Sequence, residues 1–221
     1  IVATRHGKTF LETYLGTYCP GDRRDVPFDG NVVNMVYSFS KVVTATVITM
    51  VHQDGLLDYD APISAIIPEF KSGGKERITL RQCLTHSAGI PTPPLGPALT
   101  EADWQRNIEA VCAHEVEWAP GSKTLYHGLS GAFVAATVAR RVCGNTPWET
   151  MCRERLFDPL GASTMTFALP PESTPLALTP QAETLPVTLQ GRYSGMLGHP
   201  GGGCFARPDD MLRLLHLHLN G

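Results

Sequence analysis

At 221 residues, with 43% hydrophobic and 18% charged side chains, the chain is long enough to bury a sizeable core, and its periodic apolar segments exclude disorder. Eighteen basic against twenty-one acidic residues give a formal net charge of -3 with no Lys/Arg block, which argues against a nucleic-acid partner. The longest nearly unbroken apolar run, Val42 to Val51, is about half of the roughly 20 residues that a membrane span requires, so no spanning helix is expected.

In chain order, Val2 to Tyr14 reads as a hairpin around His6-Gly7-Lys8, with Gly7 free to take positive φ in the turn. Residues 16–31, rich in Gly, Pro and Asp, read as loop. A long helix is expected from Ser38 to about Gln53, stopped by Gly55; its apolar residues cover nearly all faces, so it should be buried. Residues 56–70 read as turns, 79–86 as a short helix ending at Gly89-Ile90-Pro91, and 91–97 as a Pro-rich loop bordering the site. Thr100 caps a helix running to about His114, with Asp103 in the capping-box position. Helices follow at Leu129 to Val142, stopped at Gly144, and from a Thr146 cap and N1 Pro147 to Leu156. Residues 161–200 read as loop and short extended pieces, and Asp209 to Leu219 as a last helix. A lone hairpin needs further strands or a packed helix. The missing strands lie either beyond Gly221 or on another chain, and the first is the expectation here.

The six cysteines, at 19, 83, 112, 143, 152 and 204, form no C-x-x-C pair and no Cys/His cluster. No metal site is expected, and the scatter suits small buried side chains in a reducing compartment better than a disulfide framework. No signal peptide is visible in the strand-like opening Ile1-Val2-Ala3-Thr4; the compartment stays open, with the cytoplasm slightly favoured. His216 and His218, two apart on a helix, face different sides and make no metal pair.

Ser38-Phe39-Ser40-Lys41 is an S-x-x-K run at the start of the expected buried helix. Residues i and i+3 share a helix face, so Lys41 can reach the Ser38 hydroxyl. Burial and the positive helix N-terminus both disfavour an ammonium there, and the free N–H groups of that terminus suit an oxyanion. On spacing alone, Ser38 equally fits a helix-capping serine with a lysine reaching to solvent. A second S-x-x-K, Ser72 to Lys75, lies in a Gly-rich loop that cannot hold register. Gly128-Leu129-Ser130-Gly131-Ala132 approaches a nucleophile elbow, with Asp158 and His199 downstream. It lacks the final glycine and a preceding strand, and Ser130 reads better as a small residue in a helix's first turn.

Around Ser38 the sequence resembles the serine β-lactamase-like family: penicillin-binding proteins, class C lactamases and related esterases. The resemblance is carried by Val36 to Lys41, Val51 to Asp58, Ile67 to Phe70, Ile78 to Pro91 (similar to the family's LLTHTSG-P segment), Trp118 to Gly121 and Tyr126-His127-Gly128. Pro159 to Gly161, Gly201 to Gly203 and Pro208 to Leu212 continue it to the end of the chain. It implies an α+β fold of the β-lactamase/transpeptidase type, a helical region packed against an antiparallel sheet that is incomplete in this chain. Residues 1–221 then read as one domain: a hairpin and loop (1–37), a mainly helical region with the site (38–200) and a return helix (201–221).

The resemblance also implies that Tyr126, opening the family's Y-x-N segment, joins Ser38 and Lys41 as the third catalytic group. His127 and Gly128 would line the substrate pocket, and the Ser38 N–H would form half of an oxyanion hole. Gly128 stands where that segment ends in Asn, which removes a side-chain amide and favours small esters over amide substrates. The family's K-T-G or H/W-x-G strand is expected beyond Gly221; His199-Pro200-Gly201 matches H-x-G literally but reads as loop, because Pro200 offers no N–H to a ladder. No metal or organic cofactor is implied. The expected function is an acyl-enzyme-forming carboxylesterase or transacylase, with a β-lactamase, a D-alanyl carboxypeptidase or a non-catalytic fragment as alternatives.

Overall fold

The computed structural model describes residues 1–18, 26–170, 176–177 and 196–220. The expected hairpin forms: β1 (Val2–Arg5) and β2 (Lys8–Glu12) pair antiparallel. Both turn residues, His6 and Gly7, are left-handed (φ 51° and 72°), as a two-residue turn matched to strand twist requires. Within the stretch read as loop, β3 (Thr17–Tyr18) pairs antiparallel with β4 (Val26–Pro27).

A further strand, β5 (Val33–Met35), was not expected. It lies parallel to β6 (Leu176–Ala177) on one side and antiparallel to β7 (Phe205–Ala206) on the other. Val33, Met35, Leu197 and Phe205 close a small buried cluster on it. The described sheets are therefore two antiparallel pairs and one mixed set of three strands.

Helix α1 spans Ser40–Gln53 and is preceded by a separate 3₁₀ turn, Tyr37–Phe39. The expected start at Ser38 is corrected accordingly: the nucleophile candidate sits in the 3₁₀ turn. Burial on all faces is also corrected, because Val43, Val47, Ile48 and Val51 are buried while Val42 is 37% exposed. The helix ends at Asp54 ahead of left-handed Gly55.

Helix α2 (Leu80–Leu84) opens on a capping box that the sequence reading did not identify, Thr79 with Gln82. Helix α3 (Glu101–Ala113) opens on the expected box, Thr100 with Asp103. Each satisfies two donors that a helix start leaves orphaned.

Helix α4 (Ser130–Val142) is buried over Ser130 to Arg140 and packs on α1, α2, α3 and α5 (Trp148–Cys152). A Cβ at Gly131 would lie 2.6 Å from the Cys83 carbonyl oxygen, so glycine is what lets α2 and α4 approach. At α5 the expected cap is corrected. Pro147 is itself the cap residue, and the Thr146 hydroxyl donates back to the Cys143 carbonyl at 2.7 Å. A π turn (Arg153–Phe157) and α6 (Asp158–Leu160) carry the helical path to left-handed Gly161, beyond the expected end at Leu156.

Helix α7 (Pro208–Asn220) ties the parts together. His216 Nε2 meets Thr4 Oγ1 of β1 at 2.7 Å, and His218 Nε2 meets Thr46 Oγ1 of α1 at 2.8 Å, so the two histidines do face different elements. The architecture is α+β. The five described cysteines are free, three of them buried; Cys19 and much of the 161–200 stretch lie outside the described residues. Among the described residues, no helix is long and apolar enough to cross a membrane.

Candidate active site

Ser38 stands exposed at the centre of the 3₁₀ turn between β5 and α1. The preceding residue, Tyr37, is left-handed at φ 44°. A bulky residue there stores about 1–3 kcal/mol of strain, held in place by the buried cluster on β5 against which Tyr37 packs. The Ser38 hydroxyl lies 2.6 Å from the Tyr126 hydroxyl and accepts from Lys41 Nζ at 3.3 Å. Lys41 Nζ also sits 5.0 Å above the Tyr126 ring. The three residues singled out in the sequence are thus in mutual contact.

Tyr126 comes from the loop before α4, which hydrogen bonds hold against the end of α2. Leu125 N–H donates to the His86 carbonyl at 3.1 Å and Gly121 N–H to that of Ser87 at 2.8 Å. His86 is left-handed (φ 57°), and its ring lies 4.7 Å from that of Tyr126. Left-handed backbone at a residue other than glycine thus occurs beside both Ser38 and Tyr126.

Lys41 is anchored from the other side by the turn 198–204. Its Nζ donates to the Gly201 carbonyl at 2.6 Å. One helical turn on, Thr44 Oγ1 donates to the Pro200 carbonyl at 2.8 Å, and Ser40 Oγ accepts from Cys204 N–H at 3.0 Å. The first turn of α1 is stitched to a loop some 160 residues later in the chain. His199 N–H donates to the Met196 carbonyl at 2.9 Å, and the His199 carbonyl accepts from Gly202 and Gly203 at 3.0 and 2.7 Å. A Cβ at Gly203 would fall 1.9 Å from the Met196 carbonyl oxygen, so only glycine closes this turn.

The electrostatics favour proton transfer at this point. Burial pushes the Tyr126 phenol up, but hydrogen bonds from Lys41 and Ser38 and the Lys41 charge outweigh it, and the phenol falls below its usual 10. The His86 imidazole is lowered by burial first, then by the charges of Lys41 and His127. His199 is fully buried and pushed down to about 3, again chiefly by burial.

His127 is half-buried with its ring stacked on Trp118 (5.0 Å), and its Nε2 meets Glu117 at 3.0 Å. Around Gly128 the space is open: a Cβ there would meet nothing within 4 Å. Ser130 is buried in the first turn of α4, donating to the Ile90 carbonyl at 3.2 Å, while Asp158 pairs with Arg153 at 3.3 Å. The elbow reading finds no support there. A hollow of about 700 Å³ lies between α3 and α4, lined by Glu101, Trp104, Thr137 and Arg140. Ser38, Lys41 and Tyr126 do not line it.

The sequence reading missed His86. It took His199 for a loop residue; the residue does lie in a turn, and what the reading missed is that its ring is buried inside the turn that holds Lys41. The Gly201-Gly202-Gly203 run was the available signal, since three glycines in a row mark a backbone packed too tightly for side chains. Among the described residues, no group of three or more His, Cys, Asp or Glu could hold a metal ion.

Comparison with known proteins bears on the family and the fold. A family model described as beta-lactamase matches residues 1–221. Among curated proteins, the chain is 32% identical over 155 residues to Esterase/beta-lactamase LipL of Mycobacterium tuberculosis, covering 68% of this chain and 34% of that protein. It is 28% identical over 155 residues to Lovastatin esterase of Penicillium rubens, covering 59% of this chain and 38% of that protein. The chain thus spans about a third of the length of the curated relatives it matches. Among solved structures, a family VIII carboxylesterase aligns with TM-score 0.65 at 27% identity, over 83% of this chain and 55% of the other. The D-amino acid amidase of Ochrobactrum anthropi SV3 shares the fold, with TM-score 0.79 at 19% identity over 100% of this chain and 66% of the other.

Proposed function

Because the chain belongs to the beta-lactamase family, whose model spans residues 1–221, we propose that it acts as a serine hydrolase on small carboxylic esters through an acyl-enzyme on Ser38. The observation that carries this reading is the Ser38 hydroxyl lying 2.6 Å from the Tyr126 hydroxyl while accepting from Lys41. A serine hydroxyl attacks only when a neighbour takes its proton. Tyr126 is that neighbour: its oxygen is the nearer of the two partners and its proton is held less tightly than an ordinary phenol's.

In the proposed cycle, Ser38 Oγ bonds to the ester carbonyl carbon as its proton passes to the Tyr126 phenolate. The phenol then returns that proton to the departing alkoxide, leaving Ser38 acylated. A water molecule, or an acceptor alcohol, repeats the exchange and frees the acid or a new ester. Lys41 Nζ, fixed by the Gly201 carbonyl, holds the phenolate in place throughout. The open space at Gly128 supplies no side-chain amide to grip an amide substrate. The names of the two curated relatives, each including an esterase, support the same choice.

The test is turnover of p-nitrophenyl acetate against nitrocefin. Ester turnover well above lactam turnover, lost in Ser38→Ala, is the expected result. Equal turnover of the two would overturn the ester preference, and full ester activity in Ser38→Ala would overturn the mechanism.

A further inference from the structure

We propose that His199 is a positioning residue for the Ser38–Lys41–Tyr126 group: its Nδ1 sets the Gly201 backbone whose carbonyl holds the Lys41 amine. The inference rests on the reading of that group given above.

Two peptide units flank Gly201, and His199 restrains both. The Pro200–Gly201 unit has its N–H on His199 Nδ1 (3.1 Å) and its carbonyl under Thr44 Oγ1 (2.8 Å). The Gly201–Gly202 unit has its N–H on the His199 carbonyl (3.0 Å) and its carbonyl on Lys41 Nζ (2.6 Å). Gly201, Gly202 and Gly203 carry no side chains, so nothing intrinsic to them selects one peptide orientation. The anchors must come from outside the glycine run.

Packing alone does not account for a histidine here. The ring is fully buried and lies 5.0 Å from that of Phe133, an environment that a leucine or phenylalanine would fill. With Nδ1 accepting, Nε2 carries the proton, and among the described residues that N–H has no hydrogen-bond partner. An unpartnered buried donor is a cost that a hydrocarbon side chain avoids. What the imidazole provides in return is the Nδ1 acceptor. Without it the buried Gly201 N–H would be orphaned, and the unit would turn to find another partner, carrying with it the backbone that Lys41 holds.

The readout is the Tyr126 phenol. The groups facing it are Ser38, Lys41 and the His86 ring; Phe133 and the Lys41 charge are what face His199. Ultraviolet titration of tyrosinate, differenced against Tyr126→Phe, follows this phenol without any substrate. In His199→Leu its titration should move up toward the ordinary phenol value, and ester kcat should fall by about 10–100-fold with KM changing less than about threefold. His199→Asn places Oδ1 where Nδ1 stood and should restore both. Thr44→Val frees the same peptide from its carbonyl side, so it should shift the titration in the same direction even if the leucine variant does not fold.

An unmoved phenol in folded His199→Leu or in Thr44→Val would overturn the proposal. So would a folded His199→Asn as impaired as the leucine variant. If Ser38→Ala retains ester activity, the functional reading fails instead, and the phenol titration still decides this one.

Discussion

Replacing His199 by asparagine should make the fold less sensitive to acid. The imidazole is fully buried, and burial, with the nearby Lys41 charge second, takes it from an ordinary 6.5 down to about 3. Between those values the unfolded chain binds a proton that the native fold refuses. The native state therefore has its full stability above 6.5 and loses it as pH falls toward 3, by about 1.4 kcal/mol per pH unit. From about pH 7 to about pH 4 the loss linked to this one ring comes to about 3 kcal/mol, a large share of the roughly 5–15 kcal/mol that holds a typical domain together. Asp60, Glu69, Asp103 and Asp209 are all held below the usual carboxylate value and also weaken the fold in acid. They do so equally in wild type and variant. Asparagine does not titrate and keeps an acceptor for Gly201 N–H. Urea melts of both proteins at the two pH values should show wild type losing about 3 kcal/mol more than His199→Asn. Equal losses would refute the claim that a neutral, buried imidazole sits in this turn.

Tyr126→Phe removes the oxygen 2.6 Å from Ser38; ester kcat should fall by about 10²–10⁴-fold, with circular dichroism unchanged because Tyr126 is 57% exposed. Lys41→Met removes the charge and hydrogen bond that hold the phenol below 10. In the proposed cycle the deprotonated phenol is the proton acceptor, so the rate should rise with pH through the phenol's value, and this limb of the pH–rate profile should move up toward 10 in the variant. Gly203→Ala forces a Cβ to within 1.9 Å of the Met196 carbonyl oxygen, and should cost both thermal stability and ester activity. Gly128→Ala meets nothing within 4 Å, so its Tm should stay within about 2 °C of wild type by differential scanning fluorimetry.

What could be read from the sequence was whatever the chain decides locally. The β1–β2 turn, the Thr100–Asp103 capping box and the stop at Gly55 each depend on residues within a few positions of one another. The Ser38–Lys41 spacing is local too, and the structure keeps the pair in contact although a 3₁₀ turn, not the helix proper, carries Ser38. Tyr126 lies 88 positions from Ser38, and only the family resemblance pointed to it. Strand β5 was illegible because it is three residues long and its partners are β6 and β7, far along the chain. His199 looked like a loop residue because its neighbours are Pro200 and glycines; the ring is buried by Phe133 of α4, which no local pattern reports. Thr146 was misread for a physical reason as well. Its hydroxyl donates back to the Cys143 carbonyl instead of accepting from the N–H groups of the helix ahead.

The most direct test of the proposed site is intact mass after brief exposure to a fluorophosphonate probe or p-nitrophenyl acetate, on wild type and on Ser38→Ala. A single adduct on wild type, absent from the variant and mapped to Ser38 by peptide digestion, is the predicted result. An adduct that persists in Ser38→Ala would contradict the account, because the nucleophile would then lie outside the Ser38–Lys41–Tyr126 group.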